Sequence, residues 1–591
     1  TAPLHDSLGA DLRFAVRSLS RHRAFSGVTV LVLALGIAAT TIMFSVVSGV
    51  LLCPLPLAHP ERVVMIWGSY PSLNLGFSEQ PLDGREIQVM RENRRDFESI
   101  SAFMPQLYNL GSASEPQRLD GMRVTSEFFH TIGVPLALGR GFQAGEETPG
   151  ADRVVVLSWA LWQRQFGGDR NVLGTQIVLN AEPYTIIGVA PQGFAFPRGA
   201  EMPGDFQMPA ATELWTPMKP QHGGPSELAA IGRVHPGVTL AAAQADLDRM
   251  SRMQDQLYPQ SKGWHNTHAV PLRTQVVGDV SGMLLSLFGA AAVLLMIACV
   301  NAAQLLLARL QSRRHELAIR AALGASMPRL ARVLLIEAML ITGVAGTLGT
   351  LAGVFGVWLV RTFGPSRLPR LADVTFDSRV TAVAVLVTII AGVLFGLTPA
   401  IGASRVRLAE ALRRGGRRSG GAGASARLRR ALVVAEVALS AMLAIGSGLL
   451  VRSLEHQLRG DLGFSAPHGI TFEVSLPPLH YPEKQNPTSM DHQKAVAFVN
   501  DALQRIRAIP GVKAAAIGKP LPMSGAQEST VFFPESADPR LSQNNSKPIV
   551  EYTVASPDMF AALGTPLVKG RDFGTSDVEE SAPVVIVNSA M

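Results

Sequence analysis

Cysteine is almost absent from this chain, with only Cys53 and Cys299 among 591 residues. So few thiols exclude a disulfide framework that would hold a folded domain together, and they exclude a metal site built from cysteines. Charged side chains are also scarce at 17%, whereas apolar residues reach 47%. A chain this poor in charge, with a positive mean hydropathy, is typical of a membrane protein.

Sequence motifs for catalysis are missing as well. The pair Gly518-Lys519 is followed by Pro520, where a phosphate-binding loop needs Ser or Thr. Neither a nucleophile elbow nor a His-Glu-x-x-His pattern occurs. His265 and His268 are spaced like a metal pair, but zinc sites normally need three or four ligands, which favours a loop without metal. We therefore predict that the chain is not an enzyme and binds no cofactor or metal.

Long apolar runs are the main feature that is present. A membrane helix must cross about 30 Å of hydrocarbon at about 1.5 Å per residue, which takes about 20 residues. Runs of this kind, or nearly of this length, predict five membrane helices at 26–52, 280–308, 333–360, 380–404 and 431–451. Glycines within the third run are expected to serve close helix packing.

The positions of the arginines predict how these helices are oriented. A net charge of +7 could indicate nucleic-acid binding, but the arginines gather beside alternate apolar runs, in 13–23, 309–332 and 405–430. Under the positive-inside rule, these segments are cytoplasmic, whereas 53–279 and 452–591 lie outside. The short outer loop 361–379 conflicts with the rule, because it carries four arginines and only two acids.

The cytoplasmic segments differ in character. Residues 1–25 form a lead-in whose part Leu12–Arg23 is basic and amphipathic; it either lies on the inner membrane surface or only sets the topology. Residues 405–430 are rich in glycine and predict a flexible linker. Residues 309–332, between the second and third runs, predict a short amphipathic helix with Glu316 and Arg320 paired at i,i+4.

The segment 53–279 has the alternating pattern of a folded mixed α/β domain, which we call the first outer domain. Turn residues separate its predicted elements. The predicted strands are 63–67, 153–157, 184–189 and 228–234, and the predicted helices are 83–97, 159–166 and one after Thr239 that runs to Leu257.

An internal repeat links the two outer segments. Phe129-x-x-x-Gly-Val-Pro-Leu-Ala-Leu-Gly-Arg-Gly-Phe142 returns as Phe560-x-x-x-Gly-Thr-Pro-Leu-Val-Lys-Gly-Arg-Asp-Phe573, and strand 153–157 returns at 584–587. We therefore expect 452–591 to be an incomplete second outer domain, with three further membrane helices beyond it. Its predicted elements are strand 470–474, helix 491–509 and strand 512–517, with the strands parallel.

Several motifs together resemble a known family. Asp11-Leu-Arg-Phe-Ala-Val-Arg-Ser-Leu19 and Pro54-Leu-Pro56 resemble the start of the acidobacterial duplicated orphan permeases, within the MacB/FtsX-type ABC transporter permeases. Leu157-Ser-Trp-Ala-Leu-Trp162 resembles that family's outer core domain. Ile297-Ala-Cys-Val-Asn-Ala-Ala303 and the run 314–326 resemble its permease module.

The resemblance implies a multi-pass protein of the bacterial inner membrane with MacB-like core domains in the periplasm. It implies a separate ABC ATPase subunit as partner, besides the lipid bilayer and a candidate periplasmic adaptor or envelope protein, and no nucleic acid. Genes of this family often lie without a neighbouring ATPase, so the energy source is inferred from other relatives. The implied activity is export or extraction of an unidentified substrate; the alternative is a scaffold that regulates an envelope enzyme without transport.

The resemblance also implies a site. A coupling helix would receive the motion of the ATPase, whereas the alternative is an anchor that meets only lipid headgroups. We call residues 313–325 the coupling segment. Its implied residues are Arg313, Arg314, Glu316, Leu317, Ile319, Arg320, Leu323 and Gly324.

Overall fold

A computed structural model describes this chain in two compact units. One unit combines Thr1–Cys53 with Val277–Gly460, and the other combines Pro54–Val276 with Asp461–Met591. The described residues run from 13 to 589, except 14, 18, 22, 70–78, 112–116, 203–207, 221–227, 260–265, 313–326, 365–368, 405–422, 461, 465–467, 475, 477–489, 525–527, 532–548 and 579–580.

The helices and strands are numbered in chain order. The helices are α1 Arg23–Val47, α2 Gly84–Asn93, α3 Phe128–Ile132, α4 Trp159–Phe166, α5 Leu240–Leu257, α6 Leu272–Ser312, α7 Met327–Phe363, α8 Ser378–Ser404, α9 Gly423–Arg459, α10 Met490–Arg507 and α11 Met559–Leu563. The strands are β1 Val63–Ser69, β2 Phe97–Leu110, β3 Gln117–Val124, β4 Leu138–Gly139, β5 Val154–Leu157, β6 Gln176–Leu179, β7 Glu182–Val189, β8 Leu214–Pro217, β9 Ala229–Val234, β10 Asn266–Pro271, β11 Gly518–Lys519, β12 Ser529–Val531, β13 Ile549–Glu551 and β14 Val554–Ala555.

The first unit contains the apolar helices, and all five predicted runs are helical. Among the described residues, four stretches are long and apolar enough to cross a membrane, and a shorter apolar stretch, Ser378–Leu394, lies in α8. The four long stretches are Arg23–Leu52, Val280–Leu306, Leu335–Phe363 and Val433–Arg459. The first of them ends in a single π-helical turn, Ser48–Leu52.

Small residues let α1 and α7 approach each other closely, as expected. A methyl group added to Gly349 would meet the carbonyl oxygen of Ala34 at 2.8 Å, and one added to Gly353 would meet Thr41 at 3.0 Å. Helices in a membrane gain their attraction from such close packing. The core of this bundle is built from Leu33, Ile37, Ala298, Ala302, Leu306, Ala338, Ile341, Ala345 and Ala391.

The first outer domain is a mixed α/β fold, as predicted from its alternating pattern. Its ten strands form one sheet in the order β10-β1-β9-β2-β3-β8-β5-β7-β4, and β6 pairs with both β2 and β7. The β3–β8 and β5–β7 pairs are parallel, whereas the other pairs are antiparallel. Helix α4 has the predicted bounds, and the Thr239 side chain accepts a hydrogen bond from the Ala242 N–H at the start of α5.

Two hydrophobic cores fill this domain. One lies around Ile66, Ile87 and Phe97, where α2 and α5 cover β1, β2 and β9. The other lies around Val155, Leu161 and Ile186, where α4 covers β5 to β7. Each core is a closed set of buried side chains, so the domain consists of two subdomains that share a sheet.

The second outer domain repeats part of this scaffold. In the first copy, Ala102 and Thr125 exchange two hydrogen bonds, with Thr125 N–H donating to the Ala102 carbonyl oxygen and Ala102 N–H to the Thr125 hydroxyl. Ile517 and Ser556 make the same pair of bonds in the second copy. The short helices α3 and α11 follow these bonds. They both end at a glycine in the left-handed conformation, Gly133 and Gly564.

Ion pairs are repeated as well. Arg94 pairs with Glu127 before α3 at 3.1 Å, and Arg507 pairs with Asp558 before α11 at 2.8 Å. After these helices, Arg140 pairs with Glu146 and Arg571 with Asp577, in each case six residues along the chain. Because four independent contacts recur in order, the two segments share one local fold.

Some local predictions were wrong. The predicted helix 83–97 ends at Asn93, because Phe97 starts β2, and neither β2 nor β3 was foreseen. In the second copy, neither 470–474 nor 512–517 is assigned to a strand, and its described strands form only antiparallel pairs. A strand needs a ladder of backbone hydrogen bonds with a neighbour. Within the described residues, 512–517 has, towards the β14 segment, only the bonds of Ile517 with Ser556, directly before β11. Helix α9 starts at Gly423, inside the predicted linker, because Ala and Arg there favour helix.

Candidate functional site

The residues assigned to coupling lie outside the described part of the structure. They are Arg313, Arg314, Glu316, Leu317, Ile319, Arg320, Leu323 and Gly324. The structure describes the helices on both sides, since α6 ends at Ser312 and α7 begins at Met327. The coupling segment therefore connects the ends of two helices that each contain a membrane-spanning stretch, while its helical conformation stays a prediction.

Charged side chains are buried where α6 and α7 approach this segment. Arg309 in α6 is 9% exposed, and Glu337 in α7 is 2% exposed. The guanidinium of Arg309 lies 4.9 Å from the centre of the Phe25 ring at the start of α1. In addition, the Gln304 side chain of α6 donates a 2.8 Å hydrogen bond to Glu436 of α9. These contacts connect α6 to α1 and α9 near the coupling segment.

At the other end of the bundle, a turn between α7 and α8 holds the end of the first membrane-spanning stretch. Arg370 is 5% exposed and has a left-handed backbone with φ 58°. Its guanidinium donates to the carbonyl oxygen of Cys53 at 2.6 Å and to Asp373 at 2.9 Å. Carbonyl groups at a helix end have no partner within the helix, so this arginine satisfies one of them.

Glycine at position 49 allows the end of the first membrane-spanning stretch to approach the turn closely. A methyl group added to Gly49 would lie 2.8 Å from the Cα atom of Val374, and the Asp373 carbonyl oxygen would be at 3.0 Å. Only glycine therefore lets the π-helical turn pack against the 370–374 turn. The sequence contained no local signal for this contact, because it joins residues more than 300 positions apart and requires a non-glycine residue with positive φ.

In the first outer domain, the strands that lead to the membrane helices are neighbours. β1 follows α1 in the chain and β10 precedes α6, and the two strands pair antiparallel, with Trp67 opposite His268. Helix α6 starts at the residue directly after β10. The buried Trp67 donates its indole N–H to the Gln275 side chain in the first turn of α6, at 2.9 Å.

The histidines of this region form no described metal site. His265 lies outside the described residues, and the part of the chain that is described contains no cluster of three or more potential metal ligands. Burial lowers the pKa of His268, which favours the neutral ring within the sheet.

The perturbed carboxylates of this domain take part in structural ion pairs. Burial raises the pKa of Glu147, but hydrogen bonds from Arg91 and Ser126 outweigh it and hold the pKa below its usual value. Arg91 contacts Glu147 with two nitrogens, at 3.0 and 3.1 Å. Glu98 is held in the same sense by Arg62, against the effect of burial. Carboxylates held ionised by arginine stabilise the fold and do not act as bases poised near neutral pH.

Comparison with known families agrees with this architecture. Residues 26–250 match the family described as the MacB-like periplasmic core domain. Residues 288–408 match the family described as the FtsX-like permease C-terminal domain. The two matches support a MacB/FtsX-type permease. These matches and the apolar helices place the chain in the inner membrane with periplasmic domains, as expected from the resemblance.

Similar proteins include several named macrolide export ATP-binding/permease protein MacB. The protein from Salmonella paratyphi A is 26% identical over 295 residues, which cover 49% of this chain and 43% of that protein. The protein from Nitrobacter winogradskyi is 24% identical over 347 residues, which cover 57% and 50%. The chain thus spans about half, or less, of the length of these relatives.

Solved structures with some similarity are periplasmic or extracellular regions of transporters. The periplasmic region of MacB from Actinobacillus actinomycetemcomitans has a TM-score of 0.28 and 14% identity, covering 40% of this chain and 96% of that one. The extracellular domain of the noncanonic ABC-type transporter YknZ from Gram-positive bacteria has a TM-score of 0.26 and 11% identity, covering 35% and 99%.

Proposed function

We propose that this permease is the membrane subunit of an ABC-type system and transmits motion driven by a separate ATPase to its periplasmic domains. The observation that carries the proposal is the pairing of β1 with β10. The chain enters β1 from α1 and leaves β10 into α6. A displacement between these two helices would therefore act on one pair of adjacent strands.

Helix α6 is suited to carry such a displacement. It is continuous over 41 residues, which corresponds to about 60 Å at the rise of an α-helix. One end follows β10 without a connecting residue, and the other end leads into the coupling segment. A continuous helix moves as one body, so a push at one end would reach the sheet.

The coupling segment is the proposed contact with the ATPase. Leu317, Ile319 and Leu323 would form its apolar contacts, and Glu316 and Arg320 its polar ones. The partner subunit would bind the ATP, because this chain has no phosphate-binding loop. We further infer that the chain is a duplicated orphan permease, on the support of the local fold that its two outer domains share.

Co-purification tests the proposal. The intact chain is isolated from membranes of its own host, and the bound proteins are identified by mass spectrometry. We expect an ABC ATPase with the wild-type chain and its loss with the double variant Glu316→Lys and Leu323→Asp. The matched control is Glu92→Lys with Leu257→Asp, which makes the same chemical changes on exposed positions of the first outer domain.

The outcomes distinguish the two hypotheses. Retention of the ATPase by the control variant and loss by the coupling variant supports ATP-linked motion. No ATPase with the wild-type chain, under conditions where the protein stays folded and monodisperse, would contradict it and favour the scaffold that regulates an envelope enzyme. Equal retention by both variants would show that the ATPase binds elsewhere.

A further inference from the structure

The outer loop 361–379 was the only loop that conflicted with the positive-inside rule. Arg370 and Asp377 have structural roles in the fold, whereas Arg361 has none among the described residues. Arg370 is buried in the turn that holds Cys53. Asp377 accepts a hydrogen bond from the Val380 N–H and begins α8. Arg361, in the last turn of α7, is exposed and has no ion-pair partner within the described part of the chain. Its charge is therefore available to a ligand.

Arg361 lies on the wall of a groove between the end of α7 and the turn before α8. The groove has a volume of about 410 Å³. Its apolar residues are Val354, Val357, Trp358 and Phe376, and its polar ones are Arg361, Thr362 and Thr375.

The groove lies at the depth of a membrane interface. Its turn contains Val374, which packs against Gly49 where the first membrane-spanning stretch ends. On α7, Phe355 and Trp358 stack with ring centres 5.5 Å apart and are both more than half exposed. Exposed aromatic rings at the end of a membrane helix are typical of the interface between the hydrocarbon and the headgroups. The groove is thus open to the lipids of the periplasmic leaflet.

We propose that this groove binds one anionic phospholipid, with its phosphate on Arg361 and an acyl chain along Val354 and Trp358. A guanidinium offers two parallel N–H donors to a phosphate, and the Thr375 hydroxyl can donate a further bond. The acyl chain would make van der Waals contact with the apolar part of the wall, which is how apolar surfaces attract each other inside a bilayer. In phosphatidylethanolamine the ammonium group compensates the phosphate charge, so phosphatidylglycerol is the preferred headgroup.

A lipid fits the groove better than a free anion, because four of its seven lining residues are apolar. Inorganic phosphate would use only Arg361 and the threonines and would leave Val354, Val357 and Phe376 uncovered. The inference depends on the membrane placement of α7 and α8. It is independent of any ATPase, so its failure and the failure of the proposed function are separate results.

Native mass spectrometry of the intact, detergent-purified chain tests the inference. The protein is titrated with phosphatidylglycerol and, separately, with phosphatidylethanolamine. We expect one phosphatidylglycerol to bind more tightly than phosphatidylethanolamine. Arg361→Gln should weaken phosphatidylglycerol binding about fivefold, the effect expected for the loss of one hydrogen bond to the phosphate. The matched control, Arg379→Gln, removes an exposed arginine of the same loop outside the groove and should leave binding unchanged.

A second measurement tests the contact with the acyl chain separately from the charge of the headgroup. Phosphatidylglycerol with brominated acyl chains should quench the tryptophan fluorescence of the wild-type chain more than that of Trp358→Phe. The inference is overturned if Arg361→Gln and Arg379→Gln bind the lipid equally. It is also overturned if inorganic phosphate at equal concentration displaces the lipid, which would indicate a simple anion site.

Discussion

The guanidinium of Arg370 donates a 2.6 Å hydrogen bond to the carbonyl oxygen of Cys53, where the first membrane-spanning stretch ends. A second bond joins the same side chain to Asp373. The bonds connect the end of one membrane helix to the turn between two others. Because the arginine is 5% exposed, its charge is stabilised by these partners and not by water.

Loss of this arginine should destabilise the bundle. We expect Arg370→Gln to lower the free energy of unfolding by about 2–4 kcal/mol, because a shorter, neutral side chain cannot satisfy both the Cys53 carbonyl group and Asp373. Thermal unfolding in detergent measures the change. Arg379→Gln, at an exposed position of the same loop, should alter stability by less than about 0.5 kcal/mol. Equal effects of the two substitutions would contradict the assigned role.

Gly49→Ala should also be destabilising, by about 1–3 kcal/mol, because its methyl group would collide with the backbone of Val374. Gly27→Ala is the matched control within α1, since a methyl group there meets no atom within 4 Å. The control should be neutral or slightly stabilising, as alanine favours helix over glycine. Comparison of the two unfolding temperatures under identical detergent conditions measures the difference; a Gly49→Ala protein as stable as wild type would refute the close contact.

Trp67 and Gln275 should be energetically coupled. Trp67→Phe keeps most of the buried ring but removes the indole N–H that donates to Gln275. A double-mutant cycle with Gln275→Leu should give a coupling energy of about 0.5–1.5 kcal/mol. Additive effects of the two substitutions would mean that the hydrogen bond does not hold β1 to the start of α6.

Acid should weaken the first outer domain through Glu147. Its pKa is lower in the folded chain than in the unfolded one, where a glutamate titrates at about 4.3. The stabilisation by the carboxylate is therefore complete above that value and is lost as the pH falls through the lower folded pKa. Amide hydrogen exchange around Ser126 and α2 at neutral and acidic pH measures this loss.

Glu147→Gln should remove the acid-dependent part of that protection, so that the protection factors at neutral pH already resemble those of the acidified wild type. The matched control is Glu92→Gln, the same substitution at an exposed position of α2. An unchanged pH dependence in Glu147→Gln would show that other carboxylates cause the acid sensitivity.

Local patterns in the sequence were sufficient for most of the longer helices and several strands. The five apolar runs, the helix Trp159–Phe166 and the cap at Thr239 depend on neighbours within a few positions, and all of them are found in the structure. The repeat of 129–142 at 560–573 was also detectable in the sequence. In both copies the structure has a short helix that ends at a glycine, followed by an ion pair between an arginine and a carboxylate six residues later.

Tertiary structure alone decided which distant residues meet. The adjacency of β1 and β10, the bond from Arg370 to Cys53 and the groove beside Arg361 join segments that are far apart in the chain or depend on a turn that has no local signature. Sequence patterns therefore determined which segments are apolar enough to cross a membrane and which form a mixed α/β domain, because hydrophobicity is a local property. The contacts that could carry force or bind a lipid were decided by packing, because packing depends on the whole fold.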